Sequence, residues 1–302
     1  MHERLVMCEK SSHMLGLKNT PHKNTIMKIF SNIAKELREI GRTPGDSIDL
    51  GRTALLLAQT AQPHSKIAPY LRHFEKLKKD VADYANGACD LSSQHEALVQ
   101  VIYKRFGYTG TLRSFDTLEA ANLMRVIDCR NGLPVALGII YISVAQKLGW
   151  SACGLNFPAR FLIRLKANSE QRILDPFESG KKIGPKGLRR LLKSLVGEMV
   201  ELKPSYFSPV SPRSILLRLE ENRRIRFVAS QRWEEAEKVV ENMIMIAPTN
   251  ANLWRAKASL QKRQGYIYAA IESLEESLKY CSEDNSRYAT SAMIQDLRQS
   301  LF

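Results

Sequence analysis

Histidine is missing from everything after residue 95. All six imidazoles (His2, His13, His22, His64, His73 and His95) lie in the first third of a 302-residue chain. A thiol or serine enzyme whose base follows its nucleophile in chain order is therefore excluded over the remainder. Cysteine is scarce and scattered. Cys8, Cys89, Cys129, Cys153 and Cys281 are odd in number and form no CxxC pair, so neither a disulfide framework nor a metal site is expected. No run of eighteen apolar residues exists; nothing spans a bilayer and no membrane partner is expected. The opening MHERLVMCEKSSHMLGLKNTPHK is charged throughout and lacks an apolar leader core, which points to the cytoplasm. GxxxxGK[ST], HExxH and a GxGxxG after a strand are absent as well, so nucleotide, zincin and dinucleotide chemistry have no signal, and no cofactor is expected.

What is present is an ordinary soluble composition, 44% hydrophobic and 25% charged, with a net charge of +14. The length suffices for a sizeable core without staples. The basic residues are spread along the chain, with one dense cluster between Gly180 and Leu195: Lys181, Lys182, Lys186, Arg189, Arg190 and Lys193. Such a cluster makes contact with nucleic acid physically reasonable, although no known nucleic-acid motif accompanies it. Acidic pairs such as Glu234–Glu235 and Glu275–Glu276 read as solvated helix faces.

Residues 1–26 are polar and aperiodic and are expected to be a disordered extension. Helical spacing then predicts helices from Met27, from Ile48 to before Pro63, over Ile67–Tyr84, over Ser93–Phe106 and over Leu118–Ile127. The helix opening at Pro134 is apolar nearly all round, as a helix buried on every side is. SACGL, FLIRL and RILD follow as short strands, with Cys153 expected to point into the core. Gly184–Gly187 reads as a loop before another helix. The segment Lys203–Pro212, with three prolines, is the best domain boundary, giving parts at 27–203 and 208–302. Beyond it Ala236, Val240 and Ile244 pair with Ala270, Leu274 and Leu278 at an offset of 34 residues, the tetratricopeptide period. Two such units cannot close a core alone, so the tail is expected to pack on the first part. Lys257 and Gln261 stand where that repeat usually has Leu and Tyr.

Five elements together resemble the SirB type of bacterial transglutaminase-like proteins: the IDLGRTALLLA helix, FGYTG at Phe106–Gly110, Arg130-x-Gly132-x-Pro134, the triplet Asn156-Phe157-Pro158, and Asp175-Pro176-Phe177. The resemblance covers roughly Ile48 to the C-terminus. It implies an α+β fold: a helical N-terminal part, a papain-like core of one buried helix and a small antiparallel sheet, then an all-α tail. It also implies a Cys–His–Asp centre, and here the sequence departs from it. The nucleophile position reads Pro134, the base position reads Arg160, and only Asp175 remains. The GHF element that many relatives keep is Ala159-Arg160-Phe161, and their Asn-Ser pair is Ala120-Ala121.

The function read from this is a non-catalytic scaffold with a protein or peptide partner. Candidate binding residues are Arg130, Asn131, Asn156, Arg160 and Asp175 at the degenerate centre, and Asn222, Arg226, Asn252 and Arg255 on a concave repeat face. For Asp175, a salt bridge to Arg160 and a turn cap before Pro176 stay open, as does a cationic pocket for a carboxylate or phosphate at Arg160. The rival reading is an altered hydrolase or acyltransferase using Cys129 with His95.

Overall fold

The computed structural model describes residues 21–115 and 117–301. Helix α1 (Pro21–Arg42) leads in, followed by α2 (Leu50–Ala61), α3 (Ala68–Ala85), α4 (Leu91–Leu98), α5 (Leu123–Cys129) and α6 (Pro134–Lys147). A sheet follows with β1 (Ser151–Leu155), β2 (Ile163–Ala167), β3 (Glu170–Asp175) and β4 (Lys181–Lys182), then α7 (Pro185–Val196) and β5 (Pro209–Val210). Five helices complete the chain: α8 (Pro212–Ala229), α9 (Trp233–Ile246), α10 (Ala251–Arg263), α11 (Ile267–Tyr280) and α12 (Asp284–Gln299). The sheet is antiparallel throughout, in the order β4-β3-β2-β1-β5. The expected disordered extension lies outside the described residues up to residue 20, and α1 is already helical from Pro21.

Helix α6 is the centre of the molecule. Pro134 is its first residue, where a missing N–H removes no hydrogen bond. Every side chain from Pro134 to Ala145 is buried, because α2, α3, α5, α8 and the sheet surround it. The reading of an all-round apolar helix as fully enclosed therefore holds. Leu55, Leu98, Ile140, Phe161 and Leu165 belong to the same continuous core. A second cluster under α7 joins Leu188 and Leu192 to Leu155, Phe157 and Leu162, so β1 and the entrance to β2 are covered on both sides.

Four boundaries differ from the sequence reading. The helix expected over Leu118–Ile127 breaks at Asn122, which caps α5 by accepting from Arg125 N at 3.2 Å, an N–H that the start of the helix leaves without an intrahelical acceptor. The Ser93–Phe106 helix starts at Leu91 and widens into a π-helical stretch over Val99–Arg105. Gly184–Gly187 is not a loop: Gly184 is the N-cap and Pro185 the first residue of α7. Lys203–Pro212 is not a bare linker, because its Pro209 and Val210 form β5 on the edge of β1. Ile215, Leu216 and Leu219 of α8 then enter the main core. The tail packs on the first part as the repeat arithmetic required.

The repeats are the pairs α8–α9 and α10–α11, and α12 packs on α11. Their turns match at the same 34-residue offset: Gln231 and Gly265 both take left-handed backbone, with φ of 57° and 80°. The polar departures find partners on α9. Lys257 Nζ donates to Glu241 at 2.8 Å, and Gln261 and Gln264 both donate to Glu237 at 2.8 Å. Ser273 Oγ closes the network on Gln261 at 2.7 Å, so these buried amides cost little.

Candidate functional site

The motifs quoted from the sequence converge beside the N-terminus of α6. Thr109 N donates to Arg130 O and Gly110 N to Phe177 O, each at 3.1 Å. The FGYTG segment thus ties the Arg-Asn-Gly turn to the Asp-Pro-Phe turn. Gly110 is required there: a Cβ would lie 2.0 Å from Phe177 Cδ2. Thr109 Oγ1 also meets Ser179 Oγ at 3.0 Å. Leu133 N donates to Ala120 O at 2.9 Å, and Pro134 is buried with Leu133 beneath this contact. The place where the resemblance puts a nucleophile is therefore sealed by the short 3₁₀ turn at Glu119–Ala121.

The second position is also filled. Ala159 takes left-handed backbone (φ 59°), at the position where the resemblance implies the glycine of a GHF element. The turn it makes directs Arg160 inward. Arg160 Nη1 lies 3.7 Å from Asp175 Oδ2, and the guanidinium sits 4.5 Å from the Phe177 ring centroid. Only 11% of the Arg160 side chain and 1% of Asp175 are exposed. At 3.7 Å the contact is an ion pair rather than a hydrogen bond. Asp175 meets both sequence alternatives at once, since its Oδ1 accepts from Phe177 N at 2.9 Å. Burial raises the Asp175 pKa, and Arg160 followed by the backbone donors of Phe177 and Glu178 pulls in the opposite direction without overcoming it. Arg160 is stacked on Phe177 and paired with Asp175, and its buried Nη1 makes no hydrogen bond among the described residues.

The other candidates separate into different neighbourhoods. Arg130, in left-handed backbone, donates to His73 Nε2 at 2.9 Å and to the Tyr108 hydroxyl, and lies over the rings of Phe106 and Tyr108. This cluster, which sequence reasoning missed, lowers the His73 pKa to about 4, first through burial and then through Arg130. Asn131 is held by Ser114 and Thr111. Asn156 is exposed at the start of its turn and uses its backbone N–H on Ser208 O. Asn222 and Arg226 do not line an open concave face. Arg226 donates to Asn222 O at 2.6 Å and to Phe115 O at 2.8 Å, because the start of α8 is embedded in the core and this face is turned towards the Phe115 segment. Phe115 in turn packs on Phe177, with centroids 5.1 Å apart. Asn252 and Arg255 bond each other, and Arg255 reaches Thr290 of α12 at 3.3 Å.

Cys129 is exposed at the end of α5. His95 is not a free surface imidazole. Its Nε2 meets Gly180 O at 2.9 Å and its Nδ1 receives Arg172 at 3.4 Å. Its two ring nitrogens thus join the turn after Asp175 to Arg172 of β3, and burial lowers its pKa. Cys153 does not simply point into the core; it is half-buried, and its Sγ accepts from Arg164 at 3.6 Å. Among the described residues no three His, Cys, Asp or Glu side chains are placed to hold a metal ion, and no helix is long and apolar enough to cross a membrane.

A roomy groove lies elsewhere. It measures about 640 Å³ and runs between α1, the end of α2 and the first repeat, with Phe30, Ile33, Leu37, Val239 and Met245 among its apolar walls. Lys238, Glu235 and Glu241 stand at its charged side. No sequence signal marked it, because it exists only once α1 docks on α9.

Comparison with known proteins agrees with this anatomy. Residues 68–221 match the transglutaminase-like superfamily, and residues 224–295 match the tetratricopeptide repeat. A UPF0162 protein of Xylella fastidiosa is 24% identical over 78% of this chain and 84% of its own length. A UPF0162 protein of Pseudomonas aeruginosa is 28% identical over 76% and 83%. Protein SirB1 of Salmonella typhimurium is 21% identical over 63% and 71%. The superfamily match takes in just over half of the residues and ends inside α8, where the helix leaves the main core. The chain belongs to the transglutaminase-like superfamily, extended by tetratricopeptide repeats.

Proposed function

We propose that this protein is a non-catalytic transglutaminase-like scaffold that holds a partner polypeptide through its repeat-bearing tail. The observation that carries the reading is the filled centre: Pro134 buried at the helix start, and Arg160 stacked on Phe177 against Asp175. Arginine stays protonated and offers no lone pair for proton abstraction. A sulfur nucleophile needs a base within hydrogen-bond reach, and the one imidazole near the Asp175 turn, His95, is committed at both nitrogens.

The repeats support the partner side of the reading, since stacked helix pairs offer extended concave surfaces to other chains. The groove between α1 and the first repeat suits a short amphipathic segment with two or three apolar anchors. The test compares proteins retained from the native cell by the wild type and by Phe30→Glu with Lys238→Glu, both full length. A partner retained by the wild type and lost by the double variant is the expected result. Equal retention of every partner by both would overturn the assignment to this groove.

A further inference from the structure

Helix α7 carries a surface that the scaffold reading leaves unused. Lys186, Arg189, Arg190 and Lys193 recur at i, i+3, i+4 and i+7, which places them along one face. The opposite face is fixed by burial of Leu188 and Leu192 against Leu155, Phe157 and Leu162. The four cations, with Ser194 and Glu198, line a shallow depression of about 420 Å³. Glu201 pairs with Arg189 at 3.3 Å and with Lys193 at 3.4 Å. Lys186 and Arg190 make no ion pair among the described residues, and Lys181 and Lys182 add exposed charge on the edge strand just before the helix.

The end of α7 adds a second and different feature. Leu195 and Val196 run past the core and are 43% and 46% exposed, and Met199 is 95% exposed. Leu195 continues the Leu188–Leu192 face, but Val196 and Met199 lie beside the end of the cationic stripe and with it combine the two components of interfacial binding: electrostatic attraction and apolar insertion.

We propose that α7 and the turn after it attach the protein to the surface of a bilayer containing anionic phospholipid, without spanning it. The basic stripe faces the headgroup phosphates, and Val196 and Met199 beside its end enter the acyl boundary. Charge alone would serve an RNA backbone equally well, but aliphatic side chains contribute nothing to phosphate contacts. The segment from Lys181 to Val200 also has no aromatic residue on which a base could stack. The lack of a spanning helix does not bear on attachment of this kind, whose strength comes from surface charge and a few buried methylenes.

The test is flotation of the full-length protein with phosphatidylcholine vesicles, with vesicles containing one third phosphatidylglycerol, and retention on single-stranded RNA at the same salt. The expected result is flotation with the anionic vesicles alone. Each cation near such a surface is worth roughly a fivefold change in affinity, so Lys186→Gln with Arg190→Gln should weaken flotation about thirtyfold. Met199→Asp should weaken flotation severalfold and leave any RNA retention unchanged. All three positions are exposed, and unchanged thermal unfolding of the variants confirms intact folds. No flotation with anionic vesicles, flotation indifferent to Met199→Asp, or tighter retention on RNA than on vesicles would each overturn the proposal.

Discussion

Gly138 lies one turn into α6, and replacing it with Ala sets two opposing terms against each other. Ala in a helix interior is favoured over Gly by about 1 kcal/mol. The added Cβ, however, would lie 2.4 Å from Phe161 Cε1 and 2.5 Å from Cδ1. Phe161 is 1% exposed, and its far edge abuts Gly154 of β1, where a Cβ would be 2.5 Å from Cζ. The ring is therefore confined between a helix and a strand and has no direction in which to yield. Overpacking of this kind costs about 1–3 kcal/mol, and a trapped ring belongs at the upper end, so Gly138→Ala should destabilise by about 1–2 kcal/mol net. Equilibrium urea unfolding would show a lower midpoint at an unchanged slope. Adding Phe161→Leu should recover part of the loss, since the smaller side chain relieves the clash. A Gly138→Ala protein more stable than the wild type would refute the reasoning, because helix propensity would then outweigh a contact that the fold was said to enforce.

Arg160→Ala removes both the cation beside Asp175 and the group stacked on Phe177, so a loss of about 3 kcal/mol near neutral pH is expected. The Asp175 pKa is already raised in the fold and should rise further without Arg160. A carboxylate with a raised folded pKa loses stability as pH rises from its unfolded value through the folded one, so the cost of Arg160→Ala should shrink on acidification. His73 has the opposite sign. With a folded pKa of about 4 against 6.5 unfolded, it binds fewer protons in the native state, and stability falls as pH drops from 6.5 towards 4. His73→Gln, which keeps a hydrogen-bonding amide and removes the titration, should flatten that part of a stability-versus-pH curve; an identical slope would contradict it. Gln231→Gly should raise stability by about 1 kcal/mol, because Gln231 holds φ of 57° where the second repeat has Gly265. Thermal unfolding that shows no gain would count against the match between the two turns.

Periodicity made most of the fold legible. An apolar stripe with no polar face specified α6 as the buried helix, and a 34-residue spacing specified the paired helices of the tail. The Arg160–Asp175 pair was readable because the positions came from motifs whose order in the chain is fixed. What escaped were features created by tertiary contact. Lys203–Pro212 has the composition of a linker, yet the neighbouring edge of β1 captures Pro209 and Val210 as a strand. Asn222 and Arg226 have the spacing of an exposed helix face, and the Phe115 segment meets that face instead. The Arg130–His73–Tyr108 cluster joins residues 57 and 22 positions apart, and no local pattern encodes such a meeting.

The central claim, that the centre carries no thiol chemistry, is tested most directly by turnover of a chromogenic ester and a generic amide by the purified full-length protein before and after alkylation. The account predicts no alkylation-sensitive turnover and labelling of Cys129 at the rate of an ordinary exposed thiol. Cleavage that disappears on alkylation and in Cys129→Ser would contradict it.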